Sequence, residues 1–426
     1  MSRLTGCCIQ ATLWASPDSV VGRQPVDERL VEEKRLNTRA EWRSRLKAAR
    51  WLWVSLLAFA ITRLGIALVA TIAEPLIADS TVPPYHIRPD NVLLDVFGSR
   101  WDTGFYLSIA EEGYRYEGAR LPSVAFFPLL PIFIRAVTPL VGDPLIAGLI
   151  VTNAALLGAT MILYRLVEEE WGVATADRAV WYLLIFPTSF FGSAIYSESL
   201  FLLGAIGSLY AARKSRWPIA ALLGLLTALT RLMGIVVAPM LAVEWWMQRR
   251  RLLADARPSW AALLAPAAVL LGTGMYMLYL QQTFGDPLAF AHASAAWERV
   301  PRSPFAAIGE LLQRPAEGWA AALLAGHLPL DNWVDLVAAL VFLSLGGTLI
   351  VQRRWSEGIF VALGTLIPLS SGLLMSQRRY VWVLFPAFIL LARWGERPWV
   401  DRAIMALSLL GLGLFTALFA NWYWVG

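Results

Sequence analysis

The residues best placed to do chemistry are one acid set among aromatics and a few arginines far downstream. Asp102 lies in the run Arg100-Trp101-Asp102-Thr103-Gly104-Phe105-Tyr106. With Trp101 and Tyr106 on either side, its carboxylate can be shielded from bulk water and can accept a hydroxyl proton as a bond forms. The same side chain can instead cap a helix from Thr103 to Glu112, and the local pattern leaves both roles open. Glu198, in Tyr196-Ser197-Glu198-Ser199, stands in apolar surroundings where an ionised group is costly unless paired or functional. Its ordinary reading is the first turn of a helix capped by Ser197. Arg231 follows Thr230 at the junction of two apolar segments, and Arg378-Arg379-Tyr380 opens another. Planar guanidinium forks match phosphate oxygens; the alternative for each arginine is snorkelling to lipid headgroups. The histidines, His86, His292 and His327, are scattered without metal-ligand spacing. Walker, dinucleotide-loop, nucleophile-elbow and HExxH motifs do not occur.

Composition decides what must position these residues. Of 426 residues, 58% are hydrophobic and only 16% charged, and the mean hydropathy is +0.56. Ordinary globular chains are about 45–50% apolar and about 25% charged, so a soluble enzyme, a disordered chain and a disulfide scaffold are excluded. The net charge of +5 fits basic loops beside anionic lipid heads; no basic soluble domain is present to bind nucleic acid. Cys7 and Cys8 are adjacent and offer neither a disulfide framework nor a metal site. Leu4-Thr5-Gly6-Cys7 has the form of a lipoprotein cleavage box, but no apolar stretch precedes it, so neither lipid attachment nor a cleaved signal is expected.

Residues 1–50, with ten Lys/Arg against six Asp/Glu, read as a polar cytoplasmic tail, and 51–426 as the membrane domain. Eleven transmembrane segments are expected, near 51–73, 144–167, 178–195, 198–213, 217–230, 232–247, 259–281, 330–351, 357–375, 380–395 and 402–424. With the tail inside, alternation puts Arg213 to Arg216, Arg249 to Arg251, Arg353-Arg354 and Arg393 to Arg397 inside as well. Arg231, Arg378 and Arg379 then fall outside, against the sorting rule, on the face that holds Asp102. Two long connections lie on that outer face, 74–143 and 284–329. The first ends in Phe126-Phe127-Pro128-Leu129-Leu130-Pro131 and an apolar stretch to Val141, read as a short juxtamembrane helix rather than a span. The second carries an amphipathic helix near 306–324.

At this point a resemblance emerges. Arg100-Trp101-Asp102 with Tyr106, Ile109-Ala110 and Gly113-Tyr114 resembles the first-loop signature of the GPI mannosyltransferase family of the PIG-V type, within the GT-C membrane glycosyltransferases. Phe126-Phe127-Pro128, Tyr196 to Ser199, Thr230-Arg231 with Gly234, and Arg379-Tyr380 with Pro386 follow in that family's order. The resemblance spans roughly 51–395. It implies an all-α GT-C helical bundle in the cell membrane with its active site on the extracytoplasmic face, a polyprenyl-phosphate sugar donor, mannose above all, and Asp102 as the catalytic residue. The Ala/Leu/Arg-rich sequence looks like bacterial relatives, so the eukaryotic acceptor is not carried over. A cell-envelope glycolipid, polysaccharide or protein stays open.

The chemistry fits. A lipid-phosphate sugar leaves as a stable anion and needs charge stabilisation more than a general acid. Asp102 would take the acceptor proton. Arg231 with Arg378 or Arg379 would hold the phosphate, and Trp101, Tyr106, Glu198 and Tyr380 would shape the sugar and acceptor pocket. Neither a metal nor another cofactor is expected. The main rival is a lipid transporter or flippase, which would bury its charges near the bilayer midplane and often show inverted repeats. A non-catalytic partner of another transferase is the third reading.

Overall fold

A computed structural model describes residues 49–80, 89–116, 118, 121–251, 258–313, 315, 317–327 and 329–426. Trp51–Gly426 form one compact unit. The expected cytoplasmic tail, with Cys7 and Cys8, lies outside the described residues apart from its last two, and so does His86.

Among the described residues every regular element is a helix: α1 (Arg50–Leu76), α2 (Val92–Gly98), α3 (Thr103–Glu112), α4 (Leu129–Val141), α5 (Pro144–Trp171), α6 (Val173–Ile185), α7 (Glu198–Arg213), α8 (Trp217–Ala228), α9 (Val237–Arg251), α10 (Leu264–Phe284), α11 (Ala289–Ala293), α12 (Ala306–Leu311), α13 (Trp319–Leu324), α14 (Leu330–Val351), α15 (Trp355–Leu369), α16 (Gln377–Trp382), α17 (Phe385–Trp394) and α18 (Pro398–Ala420). Five stretches, Arg50–Leu76, Pro144–Trp171, Trp260–Phe284, Leu330–Val351 and Pro398–Ala420, are long and apolar enough to cross a bilayer. Leu64 and Leu68 on α1 and Leu407 and Leu410 on α18 face outward, as a lipid-facing surface requires.

The other expected spans are helical but shorter. The segment expected over 178–195 is helical only to Ile185, because Phe186 precedes Pro187 and takes an extended conformation (φ −53°, ψ 143°). The segment expected over 380–395 splits into α16 and α17, since the Pro386 ring cannot follow a continuous helix and sits in the first turn of α17. The single helix expected near 306–324 is two six-residue helices, α12 and α13. In the first connection α4 is a 13-residue helix, as expected too short to span, ended by Gly142 in the left-handed region (φ 80°). It packs on α3 and α5.

The bundle carries its charge at two ends. At one, Arg213 closing α7 pairs with Glu170 of α5, with Glu357 of α15 at 3.0 Å and with Glu244 of α9 at 3.6 Å. Arg354 also reaches Glu170, at 2.6 Å, and Glu357. These residues belong to the loops that alternation puts on the tail side. At the other end of α7 is Glu198. At 1.5 Å per residue its 16 residues set the two groups about 24 Å apart.

Between them lies a device that sequence reading missed. The segment 186–197 joining α6 to α7 is mostly buried and irregular apart from a 3-10 turn at Ser189–Gly192, and irregular backbone at membrane depth needs internal partners. Arg63, mid-way along α1, supplies them. Its Nη2 donates to Leu184 O at 2.9 Å at the open end of α6, and its Nη1 donates to Ser189 O at 2.9 Å. Its Nη1 and Nη2 also reach the hydroxyls of Ser193 and Ser189, each at 3.2 Å. Asn153 of α5 donates to Ser193 O at 3.2 Å, and Ile195 N to Phe97 O at 3.0 Å. Replacing Arg63 by Met removes four hydrogen bonds from this segment and leaves Leu184 O with only the Ser189 hydroxyl, a net loss of about 0.5–1.5 kcal/mol per bond. The expected result is a thermal midpoint lowered by several degrees in detergent; an unchanged midpoint would show that the carbonyls find other partners.

Candidate active site

Asp102 precedes α3, but its side chain makes no cap bond. It accepts instead from Arg379 Nη1 at 2.9 Å, so the two roles left open by sequence resolve away from capping. The turn that presents it is held on both sides. Trp101 lies in the left-handed region at φ 53°, uncommon for a bulky residue, and its ring packs on Trp422 and Trp424 at centroid distances of 5.6 and 5.3 Å. Fully buried Arg100 pairs with Asp95 at 2.6 Å and stacks on Trp422 at 4.2 Å. The Asp102 amide donates to the Tyr196 hydroxyl at 3.2 Å, which itself donates to Arg100 O at 3.4 Å.

From Asp102 the charges run inward in alternation. Arg379 Nε lies 3.2 Å from Glu198 Oε1, and the same oxygen is 2.8 Å from Arg231 Nη1. Asp102 keeps 21% of its side-chain exposure, whereas Glu198 keeps 1%. The first can meet a substrate; the second is a buried anion whose ionised form depends on two guanidinium partners. Ser197 does not cap α7; its hydroxyl accepts from Tyr106 at 3.1 Å. Burial first, then the Glu198 charge, push the Tyr106 phenol well above its ordinary range. Tyr106 therefore stays protonated and acts as a donor that orients the start of α7.

Arg231 stands on extended backbone (φ −172°) before the short 3-10 turn Leu232–Val236. Gly234 makes this turn possible, since a Cβ there would lie 2.5 Å from Ala228 Cα. The guanidinium groups of Arg231 and Arg379 lie 5.2 and 5.3 Å from the Tyr380 ring centre. A third, Arg299 from the connection between α10 and α14, lies 5.6 Å from it.

Arg378 is not part of this cluster. Its Nε pairs with Asp335 of α14 at 3.0 Å and its Nη2 with Asp331 at 3.0 Å. Asp335 also accepts from the amides of Ser376 at 3.1 Å and Arg378 at 2.8 Å, holding the start of six-residue α16. Successive helical residues point about 100° apart, so α16 sends Arg379 to the site and Arg378 into its own anchor. Asp102, Trp101, Tyr106, Glu198, Arg231, Arg379 and Tyr380 are thus brought together. Tyr196, Asp335 and Arg299 were missed; Tyr196 stood in a motif already singled out, but nothing local marks the other two.

If the charges act as one chain, Glu198→Gln and Arg379→Met must interact. Each alone leaves a buried partner uncompensated, a loss of about 3–5 kcal/mol. The double variant should lose clearly less than the sum, with a coupling of about 1 kcal/mol or more. Additive shifts in thermal midpoint would show that the two do not work together.

A family model described as Mannosyltransferase (PIG-V) matches residues 70–284, about half of the chain. GPI mannosyltransferase 2 from two strains of Cryptococcus neoformans var. neoformans serotype D, JEC21 and B-3501A, is 32% identical over 122 residues. That alignment covers 26% of this chain and 28% of each relative. Among solved structures, ArnT from Cupriavidus metallidurans bound to undecaprenyl phosphate aligns with a TM-score of 0.46 at 13% identity, over 86% of this chain and 76% of that one. The archaeal oligosaccharyltransferase AglB from Archaeoglobus fulgidus, in complex with an inhibitory peptide and a dolichol-phosphate, aligns with a TM-score of 0.39 at 12% identity, over 89% and 57%. The matched span 70–284 holds Asp102, Glu198 and Arg231 and the turns that present them, and the chain belongs to the PIG-V mannosyltransferase family.

Proposed function

We propose that this membrane protein is an inverting glycosyltransferase of the GT-C type that moves a sugar, mannose by family, from a polyprenyl-phosphate donor to a cell-envelope acceptor on the outer face of the cell membrane. The observation that carries the reading is a partly exposed carboxylate 2.9 Å from a buried guanidinium at one end of the bundle, with Arg231 beside it through Glu198. Basic loops gathered at the opposite end support the outward orientation, because they belong on the cytoplasmic side.

In the reaction the acceptor hydroxyl attacks the anomeric carbon from the face opposite the phosphate. The new carbon–oxygen bond forms as the bond from that carbon to the phosphate oxygen breaks, its electron pair leaving on the phosphate. Attack from behind inverts the anomeric centre. The hydroxyl proton passes to Asp102, and charge developing on the phosphate is met by Arg231 and Arg379. Arg379 is shared: an arriving phosphate adds a third anion to Asp102 and Glu198 and weakens its hold on Asp102, so the carboxylate turns to the hydroxyl as the donor binds. Trp101 and Tyr380 supply the aromatic walls against which a sugar ring can lie. Because guanidinium groups already face the leaving group, no metal is needed in this scheme.

The transporter reading expects charges at membrane depth to serve a transport path. The arginine found there, Arg63, spends its donors on backbone and hydroxyl oxygens, which favours the transferase.

The test is Asp102→Asn in membranes supplied with radiolabelled polyprenyl-phosphate mannose. Transfer should fall about 10²–10⁴-fold with intact expression; near-normal transfer would remove Asp102 as the base. In the same assay EDTA should leave the rate unchanged, and a loss restored by adding back a divalent cation would refute the metal-free scheme.

A further inference from the structure

The connection between α10 and α14 brings a third cation to the site. It begins against the first connection: Phe290 packs on Phe127 at 5.5 Å, and Trp297 lies edge-on to Phe105 at 5.7 Å and to Phe126 at 5.8 Å. Phe105 is three residues from Asp102 in sequence. The segment turns at Glu298, in the left-handed region at φ 58°. It then docks on the turn after α15: Val300 N donates to Ser371 O at 3.1 Å and Arg302 N to Ser370 O at 3.0 Å. That turn depends on Gly372, at φ 78°, where a Cβ would lie 2.9 Å from Val300 O. Residues 297–302 thus join the elements that carry Asp102 to those that lead into Arg379.

Arg299 sits at the middle of this bridge. Its Nη1 donates to Ser371 Oγ at 3.0 Å and its Nη2 to Met375 O at 3.4 Å. Among the described residues no carboxylate lies within ion-pair distance of it, whereas Arg231 and Arg379 are both paired. Around Tyr380 three guanidinium groups stand against two carboxylates, Asp102 and Glu198, leaving one positive charge without a counterion among the described residues. A partly buried cation beside others is unfavourable until an anion joins it.

We propose that residues 297–302 form a strap over the donor site and that Arg299 receives the phosphate of a prenyl-phosphate ligand. The inference rests on the donor class assigned above and adds a residue beyond it. Arg231 and Arg379 are already engaged by carboxylates and must share, while Arg299 has a whole charge to give. Its two neutral hydrogen bonds aim the fork without neutralising it. Phosphate binding would therefore draw on the strap first, and the strap would report that the donor is seated.

The experiment titrates citronellyl phosphate, a short prenyl phosphate without a sugar, into the full chain in phosphatidylcholine nanodiscs. Arg299→Ala should weaken binding about 10–100-fold, as for loss of a charge-assisted contact, and Arg299→Lys should restore part of it. Gly372→Ala, which undocks the strap while keeping Arg299, should also weaken binding. With the sugar donor, Arg299→Ala should raise KM and leave kcat near wild type, the opposite of Asp102→Asn. Wild-type affinity in Arg299→Ala would overturn the inference while leaving the donor class standing. Wild-type affinity in Gly372→Ala would overturn the strap. Failure of the wild-type chain to bind the probe at all would remove the donor class and the inference together. Displacement of the probe by phosphatidylglycerol in the disc would reassign the cation to a lipid headgroup.

Discussion

The structure is organised around the cost of keeping charge inside an apolar bundle. Glu198 and Arg379 are both buried, and neither is tolerable alone. Arg379 meets the requirement for two carboxylates at once, one from the first connection and one from the start of α7. Because its guanidinium is held by elements far apart in sequence, the pairing sets where those elements stand relative to one another. The site is therefore preorganised by its own electrostatics: moving the Asp102 turn, the start of α7 or α16 exposes an unpaired charge.

This requirement extends into the surrounding backbone. Six-residue α16 cannot hold itself, and Asp335 caps it while binding Arg378. The irregular segment before Glu198 is bonded to α1, α5 and α2. The short helices that fall below spanning length belong to this same region. They stop where the chain must turn inside the protein to deliver a side chain, and their loose backbone groups find partners in longer helices. At the far end of α7 a second charge cluster, Arg213 and Arg354 with Glu170, Glu244 and Glu357, ties four helices at the end opposite Glu198.

Much of this was legible without coordinates, and the errors share a cause. Hydropathy located the five long membrane-capable helices because burying apolar side chains in lipid is a property of each segment by itself. Arg231 and Arg379 stood out because alternation puts them outside, against charge sorting, and both join the cluster around Asp102 and Glu198. Arg378 carried the same signal and is an anchor, since one residue of helical rotation turns it away from the Asp102 cluster. Asp102 looked equally fit to cap α3 or to act, because the competing partner lies 277 positions away. Arg63 drew no notice inside an apolar run, where its role depends on the carbonyls of another helix. Arg299 sits in a polar connection where one more arginine is unremarkable until Tyr380 and its neighbours are placed around it.

The sequence by itself determined a polytopic helical membrane protein, its family, the ends of the bundle on which its basic loops gather, and the acid and arginine types available for chemistry. These follow from composition, periodicity and short motifs, which are local. Only the tertiary structure decided which charges pair, which arginine turns inward, where helices break to let the chain double back, and that a third cation from the α10–α14 connection joins the site. Those outcomes depend on distances between residues remote along the chain. Burial makes an ionised group's energy depend on its neighbours in space, and no stretch of sequence states who those neighbours are.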